Sequence, residues 1–408
     1  MLRKALNLVC GFAYLMVLVV GVTSTLFLVS PILPLIPFHS LRVIRLRRYY
    51  CDMLVGLYLE YAAIALLYLG GTKISVYSED RGILTDRAPL LLCNHRTRVD
   101  WMYAGWCYSR MLGSTSSLRF VLKDSLRAAP VFGWVMQIVM CIFLSRNRDN
   151  RDSQLGHIRA VINYLLGSGD RPCLLLFPEG TDLSPEGVKK SQAYAVANKL
   201  EPLNYVMYPR SSGFVTLLNA MKSSGAAMHD ITIGYEDYTK GVRTSEVNIF
   251  TGEFPKHIHL CVKRFEIDEI PGDTALANRW IKGSFCRKER LLKAFYENDC
   301  VPPLEKMPTK GNPKEYYESW PPLVANPQTS SRSFFIVSAC NICLIYGFIY
   351  LSNVRWLFLA LVVVCTVVKG AVSGFDMLEL LLHGGMDALA NPSGANMPES
   401  SSESKKMK

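Results

Sequence analysis

The sequence predicts an α/β domain, built on a mixed sheet with flanking helices, that is joined to N-terminal membrane helices and to a C-terminal transmembrane hairpin. Three observations lead to this fold class. Short runs rich in leucine and β-branched residues alternate with segments of helical periodicity between residues 71 and 303. A run without any Asp, Glu, Lys or Arg, residues 5–41, precedes them. Two apolar runs, residues 334–351 and 356–368, follow them with only the turn SNVR in between.

The N-terminal apolar run exceeds the roughly 20 residues that span a bilayer, and it is too long for a signal-peptide core of about 7 to 15 residues. We expect a retained helix over about residues 6–30, ended by the prolines within residues 31–37. A second apolar stretch, residues 53–70, contains Glu60. That charge favours a re-entrant or interfacial helix over a full span.

The predicted organisation has five parts. Residues 1–70 hold the two N-terminal helices, residues 71–303 a cytosolic α/β domain, residues 304–332 a linker, residues 333–372 the transmembrane hairpin, and residues 373–408 a polar tail. Within the α/β domain we expect strands at KISVYS, PLLLCN, RPCLLLFP, NYVMYP, DITIGY and IHLCVKRF. We expect helices over residues 152–166, 188–200 and 274–296.

Basic residues around the first span predict its orientation. Arg3 and Lys4 precede the span, whereas four arginines follow it between positions 42 and 48. The positive-inside rule therefore places the central domain in the cytosol, and the hairpin returns the tail to the same side. Lys405 and Lys406, in the terminal sequence KKMK, match a dilysine endoplasmic-reticulum retrieval signal, with a solvated basic tail as the alternative. We expect a multi-pass protein of the reticulum membrane.

The composition points to a membrane protein with phosphate-bearing partners. The chain of 408 residues carries a formal charge of +11, and 50% of its residues are hydrophobic. The mean hydropathy of +0.16 is unusual for a purely soluble enzyme. Positive charge favours phosphates of a nucleic acid, a membrane face or a cofactor. A nucleic-acid binder would interleave aromatic and basic residues along one face, which this sequence does not do. We therefore expect a lipid bilayer as partner and no nucleic acid.

The stretch NHRTRVDW, directly after an apolar run, is the first candidate for chemistry. In one continuous helix the five-residue spacing of His95 and Asp100 would put them roughly 140° apart, on different faces. If the helix instead begins near Thr97, the His95 ring can fold back and donate a hydrogen bond from Nδ1 to Asp100. Nε2 is then free to act as a general base. The sequence has no G-x-S-x-G elbow to supply a nucleophile, so the group that loses the proton is expected to be a substrate hydroxyl. A structural histidine that caps a turn is the alternative.

The second candidate is FPEGT, residues 177–181, which follows another apolar run. Gly180 lets backbone amides approach a ligand closely, and Thr181 offers a hydroxyl. Glu179 could hold a ligand hydroxyl or an arginine. Alone, the motif is also typical of an ordinary Pro/Gly turn. Both candidates end predicted strands, where the functional residues of α/β folds lie.

Together the two motifs resemble those of the glycerolipid acyltransferase family, whose first block is N-H-x-x-x-x-D and whose third is F-P-E-G-T. CIFLSRNRD resembles the second block, with Arg146 at its basic position, and VMYPRSSGF resembles the fourth, with Pro209. Within that family, NHRTRVDWM, PVFGWVMQ and HDITIGY are most similar to the lysocardiolipin acyltransferase branch, which also acts on other lysophospholipids. The likeness covers nearly the whole chain.

The resemblance implies an enzyme that transfers a long-chain acyl group from acyl-CoA, a co-substrate, and that uses no cofactor. His95 would deprotonate the free hydroxyl of an anionic lysophospholipid, and Asp100 would hold His95. The lipid would be held by residues of the other three blocks: Arg146, Glu179, Gly180, Thr181 and Pro209. Asp182 stands where many members carry a basic residue, and the second block keeps only part of G-x-x-F-I-x-R, which leaves the head group open.

Three basic residues, Arg119, Lys123 and Arg127, repeat every four positions and would share one helix face. The row, with Lys123 in its middle, could contact phosphates of CoA or of the lipid. A solvated or membrane-facing surface explains it equally well.

We predict no metal site. Cys340 and Cys343 have redox or zinc spacing but lie in an apolar segment without matching ligands. His257 and His259 alternate in the run HIHL and share one face of a strand. A metal pair is possible there, but a surface strand is the favoured interpretation.

Two other kinds of function remain open. The first is another acyl transfer, either acylation of 1-acylglycerol-3-phosphate in phosphatidic acid synthesis or transfer between phospholipids without CoA. The second, from another class, is a non-catalytic membrane scaffold that retains the fold. A scaffold would be expected to lose the pair of His95 and Asp100, which is present.

Overall fold

The central sheet of the computed structural model is mixed and carries helices on both of its faces. The structure describes residues 2–78, 80–86, 88–111, 118–145, 151–236, 246–298, 324–325 and 331–383. The strands within these ranges are β1 (Lys73–Tyr77), β2 (Leu90–Cys93), β3 (Leu118–Lys123), β4 (Ile142–Leu144), β5 (Cys173–Leu176), β6 (Ala227–Tyr235), β7 (His257–Glu266) and β8 (Val324–Ala325). Their order across the sheet is β4-β3-β5-β2-β6-β7-β1-β8.

The helices of the α/β region are α3 (Asp100–Met111), α4 (Phe132–Ile138), α5 (Arg151–Gly167), α6 (Pro185–Ala197), α7 (Ser211–Met221), α8 (Glu246–Phe250) and α9 (Thr274–Asn298). The membrane-type helices are α1 (Leu2–Val29), α2 (Leu41–Gly70), α10 (Ser331–Tyr350) and α11 (Ser352–Val372). A short helix, α12 (Phe375–Leu382), follows them.

Strand direction determines where the two sequence motifs meet. β2 pairs in parallel with β5 on one side and with β6 on the other. Parallel strands end at the same edge of a sheet, so the residues that follow β2, β5 and β6 are brought together there. β7 runs antiparallel to β6, and β1 runs parallel to β7. The chain therefore collects NHRTRVDW and FPEGT at one edge.

Continuous apolar runs in the central strands fill two separate cores. Leu91 and Cys93 of β2 belong to the core that also contains α2 and α3, whereas Leu90 and Leu92 belong to the core with α5, α7 and α9. Successive side chains of a strand point to opposite faces, so a strand covered on both faces must be apolar throughout. This explains why PLLLC lacks the alternation typical of a half-exposed strand.

The run NYVMYP is not a strand, contrary to our prediction, and side chains supply its hydrogen bonds instead. The amides of Tyr205 and Val206 donate to Glu289, at 2.7 Å and 3.1 Å. The Met207 amide donates to Glu179 at 2.9 Å. Buried amides need acceptors, and buried carboxylates satisfy them here without a neighbouring strand. Apolar composition predicted the burial of this segment but not the source of its partners.

The second N-terminal helix is longer than predicted. We expected a re-entrant or interfacial helix over residues 53–70, but α2 runs over 30 residues and is long and apolar enough to cross a membrane. The segments Leu2–Leu35 and Ser352–Val372 also meet that standard among the described residues, whereas Phe334–Tyr350 is shorter. Glu60, the charge that argued against a span, is buried in protein and only 4% exposed. The lipid therefore need not accommodate that side chain.

Helix α12 lies where we predicted a polar tail. Its Asp376 and Glu379 are buried and paired with arginines from distant parts of the chain. Asp376 accepts a hydrogen bond of 2.6 Å from Arg127, and Glu379 accepts bonds of 2.5 Å from both Arg47 and Arg48. The acidic residues of this helix bind it to α2 and to the turn after β3, instead of keeping it in water.

The basic row does not share a helix face, so that prediction was wrong. Arg119 and Lys123 lie in β3, because parallel pairing with β4 and β5 extends this segment. Arg119 is 1% exposed and pairs with Asp52 at 2.8 Å and with Asp170 at 2.9 Å. Lys123 is exposed at the end of the strand. The repeat therefore combines a buried structural cation with a surface lysine.

The burial of Arg119 leads to a stability prediction. Arg119→Ala leaves the carboxylates of Asp52 and Asp170 without their cation in a buried site, and we expect the free energy of unfolding to fall by about 3–5 kcal/mol. Thermal unfolding of the full chain in detergent measures the change. Lys123→Ala, in the same strand but exposed, is the control and should shift stability by less than about 0.5 kcal/mol. Equal effects of the two substitutions would contradict the structural role of Arg119.

Candidate active site

His95 and Asp100 meet at the end of β2, in the arrangement that their spacing suggested. Residues after Cys93 leave the sheet as a loop, and α3 begins at Asp100. His95 Nδ1 lies 3.0 Å from Asp100 Oδ2. No described residue hydrogen-bonds His95 Nε2, and the side chain is 17% exposed. The ring is thus held at one nitrogen and open to a ligand at the other.

The loop is closed by a capping arrangement at the start of α3. The Thr97 amide donates to Asp100 Oδ2 at 2.9 Å, and the Thr97 hydroxyl accepts from the Val99 amide at 3.2 Å. Such reciprocal bonds satisfy amides at a helix start that lack helical partners. An acidic side chain in the first turn also interacts favourably with the helix dipole. One carboxylate therefore starts the helix and orients His95.

Tyr235, at the end of β6, is a member of the site that the sequence analysis missed. Its hydroxyl donates a short hydrogen bond to Asp100 Oδ1. Asn94 braces the same region, because its side chain bonds both the amide of Ile233, at 2.8 Å, and the carbonyl of Ile233, at 3.2 Å. The signal available in the sequence was a tyrosine at the end of the run DITIGY. Without the strand order, nothing placed it beside β2.

Glu179 joins the two motifs from inside the protein. Its Oε1 accepts from the His95 amide at 2.7 Å, and its Oε2 accepts from the Met207 amide at 2.9 Å. Burial raises the pKa of the Glu179 carboxyl to about 8, against the opposing effect of these two amides. Both oxygens are engaged by the main chain, which indicates a positioning role. The predicted contact of Glu179 with a substrate stays a prediction.

The rest of FPEGT forms a tight turn beside His95. Phe177 stacks on the His95 ring with 4.4 Å between centroids. Gly180 has φ +75°, a conformation that L side chains rarely adopt, and a Cβ there would also meet Arg210 at 3.3 Å. Thr181 donates to Asp182 at 3.2 Å. The glycine is thus required by backbone geometry, whatever its role toward a ligand.

Three predicted site residues remain, and they are not all placed beside His95. Pro209 is near, because the amide of its neighbour Arg210 donates to the Pro178 carbonyl at 2.7 Å. Lys123 is exposed at the end of β3, and no contact joins it to His95 among the described residues. Arg146 lies outside the described residues. The substrate roles of all three stay predictions.

The two arginines of NHRTRVDW have different surroundings. Arg96 is buried, with its guanidinium 4.3 Å from the centre of the Tyr296 ring on α9. Arg98 is more exposed and lies 3.6 Å from Asp182. Arg96 therefore helps to attach the loop to α9 through a cation–π contact, whereas Arg98 connects it to the segment after FPEGT.

Comparison with known proteins relates the chain to acyltransferases. A family described as Acyltransferase matches residues 75–235, and one described as Acyltransferase C-terminus matches residues 248–321. Lysocardiolipin acyltransferase 1 of Danio rerio is 31% identical over 291 residues, which are 70% of this chain and 71% of that protein. The chain belongs to the acyltransferase family.

Other relatives of this acyltransferase differ in their names. A probable 1-acyl-sn-glycerol-3-phosphate acyltransferase 5 of Arabidopsis thaliana is 33% identical over 60% of this chain and 61% of its own. Lysophosphatidylinositol acyltransferase 10 of Caenorhabditis elegans is 32% identical over 57% of this chain and 59% of its own. The crystal structure of a 1-acyl-sn-glycerophosphate acyltransferase from Thermotoga maritima covers 72% of this chain and 98% of its own, with TM-score 0.42 and 17% identity.

Tyr235→Phe tests the role of the tyrosine hydroxyl in this acyltransferase. Loss of a hydrogen bond to a buried carboxylate is worth about 1.5–3 kcal/mol, so we expect kcat to fall about 10- to 150-fold. KM should change little, because Tyr235 holds Asp100 and not the substrate. Steady-state kinetics measures both. Tyr194→Phe, whose hydroxyl contacts Lys282, is the control. An unchanged kcat in Tyr235→Phe would contradict the positioning role.

Proposed function

We propose that this acyltransferase transfers a long-chain fatty acyl group from acyl-CoA to the free hydroxyl of a lysophospholipid, in phospholipid remodelling. Lysocardiolipin, lysophosphatidylinositol or a similar anionic lipid is the acceptor. The single observation that carries the proposal is the contact between His95 Nδ1 and Asp100, beside FPEGT and with Nε2 open. The names of the relatives support a lysophospholipid as acceptor.

The proposed step is a direct transfer without a covalent enzyme intermediate. His95 Nε2 takes the proton of the lipid hydroxyl while its oxygen attacks the thioester carbonyl. The carbon–sulfur bond breaks, and the CoA thiolate leaves with the proton that His95 gives back. Asp100 fixes the tautomer of the ring and stabilises the imidazolium in between. General-base attack of a hydroxyl on a thioester needs no resident metal or cofactor. Acyl-CoA takes part as a co-substrate.

Residues of the other motif blocks are proposed to hold the lipid. The backbone turn at Gly180 and the Thr181 hydroxyl would contact the glycerol phosphate, together with Arg146. Pro209 would shape the acyl end, and Lys123 is a further candidate for a phosphate of CoA or lipid. Glu179 would position His95 without touching the lipid, by accepting the hydrogen bond of the His95 amide.

A second acceptor, 1-acylglycerol-3-phosphate, is supported by the names of other relatives. The two reactions use the same chemistry and differ in the head group that the site must accept. Asp182, buried beside Thr181, adds a carboxylate close to the proposed phosphate contacts. Arg98 offsets the charge of that carboxylate, so the names of the lysocardiolipin and lysophosphatidylinositol relatives are the reason that a remodelling substrate is our first choice.

We also propose a reticulum membrane location, with the α/β domain and the C-terminus in the cytosol. Three helices with the length and apolarity of membrane spans support attachment to a bilayer. Lys405 and Lys406, outside the described residues, would act as the retrieval signal. Their joint replacement by serine should move part of the protein beyond the reticulum, as seen by microscopy against organelle markers. Unchanged localisation would contradict the retrieval signal.

His95→Ala tests the proposed mechanism. Microsomes that contain the protein, supplied with labelled oleoyl-CoA and a panel of lysolipids, should acylate at least one lipid. Loss of the general base should lower that rate by about 100- to 10,000-fold. The lipid accepted fastest identifies the head group and separates lysophosphatidic acid from the remodelling acceptors.

Two controls make this test specific. His39→Ala removes an exposed histidine that is distant from His95 in the sequence, and this variant should keep full activity. Asp100→Asn should also reduce the rate strongly, because an amide cannot stabilise the imidazolium. Full activity of His95→Ala would refute the mechanism. Acylation of no lysolipid by the unaltered protein would favour the scaffold function.

A further inference from the structure

Two histidines and one glutamate meet where β6 ends and β7 begins. The Glu236 amide donates to the His257 carbonyl at 3.0 Å, and His259 lies two positions further along β7. We favoured a surface strand for this segment, but β7 runs between β6 and β1 in the sheet. His259 is only 6% exposed. The surface interpretation was therefore wrong for His259, and the cluster requires another explanation.

The three side chains direct one ligand atom each toward a common point. Glu236 Oε2 lies 3.0 Å from His257 Nδ1 and 3.6 Å from His259 Nε2. All three ligand atoms lie within 4.8 Å of one another. Ligands at about 2.0–2.2 Å around a tetrahedral ion are roughly 3.3–3.6 Å apart. The cluster thus needs only small shifts to close around an ion of that size.

The second nitrogen of each ring is held by a hydroxyl from β1. His257 Nε2 lies 2.9 Å from Ser75 Oγ, and His259 Nδ1 lies 3.2 Å from Tyr77 OH. Metal-binding histidines are usually oriented in this way, because a bond at one nitrogen fixes the tautomer and turns the other toward the ion. Two rings with such bonds, both facing the same carboxylate, indicate ligands that are already oriented for a metal ion.

The inner nitrogen of the buried histidine has no hydrogen-bond partner. His259 Nε2 is inaccessible to solvent and makes no hydrogen bond among the described residues, although it faces Glu236. A buried polar atom without a partner costs about 1–3 kcal/mol, and a bound cation would remove that cost. This atom is an independent indication that a ligand belongs at the centre of the cluster.

We propose that Glu236, His257 and His259 bind one zinc-type divalent metal ion. Two imidazoles and one carboxylate form a donor set that zinc accepts, with a fourth position left for water. The ion would connect the end of β6 to the start of β7. Because Glu236 directly follows Tyr235, whose hydroxyl holds Asp100, the ion would also fix the strand end that supports the catalytic pair. The proposal does not depend on which lipid is acylated.

Metal titration of the purified full chain in detergent tests the site. After removal of metal by a chelator, Co²⁺ binding is followed by visible absorbance and Zn²⁺ binding by calorimetry. We expect the unaltered chain to bind one ion at this site and the variants Glu236→Gln and His257→Ala to bind none there. Both variants should fold, because the two positions are partly exposed. Ser75→Ala should weaken the affinity about 10- to 100-fold, because it frees the His257 ring. Zn²⁺ should raise the Tm of the unaltered chain and not that of Glu236→Gln.

His39→Ala is the matched control and should bind the same number of ions as the unaltered chain. Circular dichroism confirms that each variant is folded. The proposal is refuted if Glu236→Gln and His257→Ala keep the stoichiometry and affinity of the unaltered protein. Binding only to cysteines would give that result. Loss of acylation with metal binding intact would count against the proposed function alone, so the two proposals fail separately.

Discussion

The carboxylate of Asp100 is the constraint on which the rest of the site depends. It is buried, and its two oxygens are bonded by the His95 ring, the Thr97 amide and hydroxyl, and the Tyr235 hydroxyl. A buried charge without such donors would be strongly destabilising. The loop after β2, the first turn of α3 and the end of β6 must therefore stay together for the buried carboxylate to keep its hydrogen-bond donors. The position of His95 is a consequence of that requirement.

Buried carboxylates also organise the segments around this pair. Glu179 connects the His95 loop to Met207, and Glu289 of α9 accepts amides from residues 204–206. An irregular segment can be buried only if each of its amides finds an acceptor. Here the acceptors come from side chains, which allows the chain around Pro209 to approach FPEGT without belonging to the sheet. This part of the site is thus held by side-chain hydrogen bonds although it is not regular secondary structure.

Ion pairs attach the membrane-type helices to the α/β domain. Arg119 of β3 meets Asp52 of α2, and Glu379 of α12 meets Arg47 and Arg48 of α2. In the most apolar part of α2, 61% of the residues are buried within the protein, whereas in α11 only 11% are buried. Helix α2 is therefore as much a part of the enzyme core as of the membrane region. These ion pairs fix how the helices lie against the domain, because moving an arginine away would leave a buried carboxylate without its cation.

The sequence by itself determined what depends on local order: apolar strands, long apolar helices, and the spacing that made a loop-to-helix junction necessary for His95 to reach Asp100. Only the tertiary structure decided which distant groups meet. Tyr235 reaches Asp100, and NYVMYP remains irregular, because strand order and buried acceptors bring together residues far apart in the chain. Arg119 and His259 are buried for the same reason. Periodicity reports the face of an element, but the charge or hydroxyl that meets that face comes from another part of the chain.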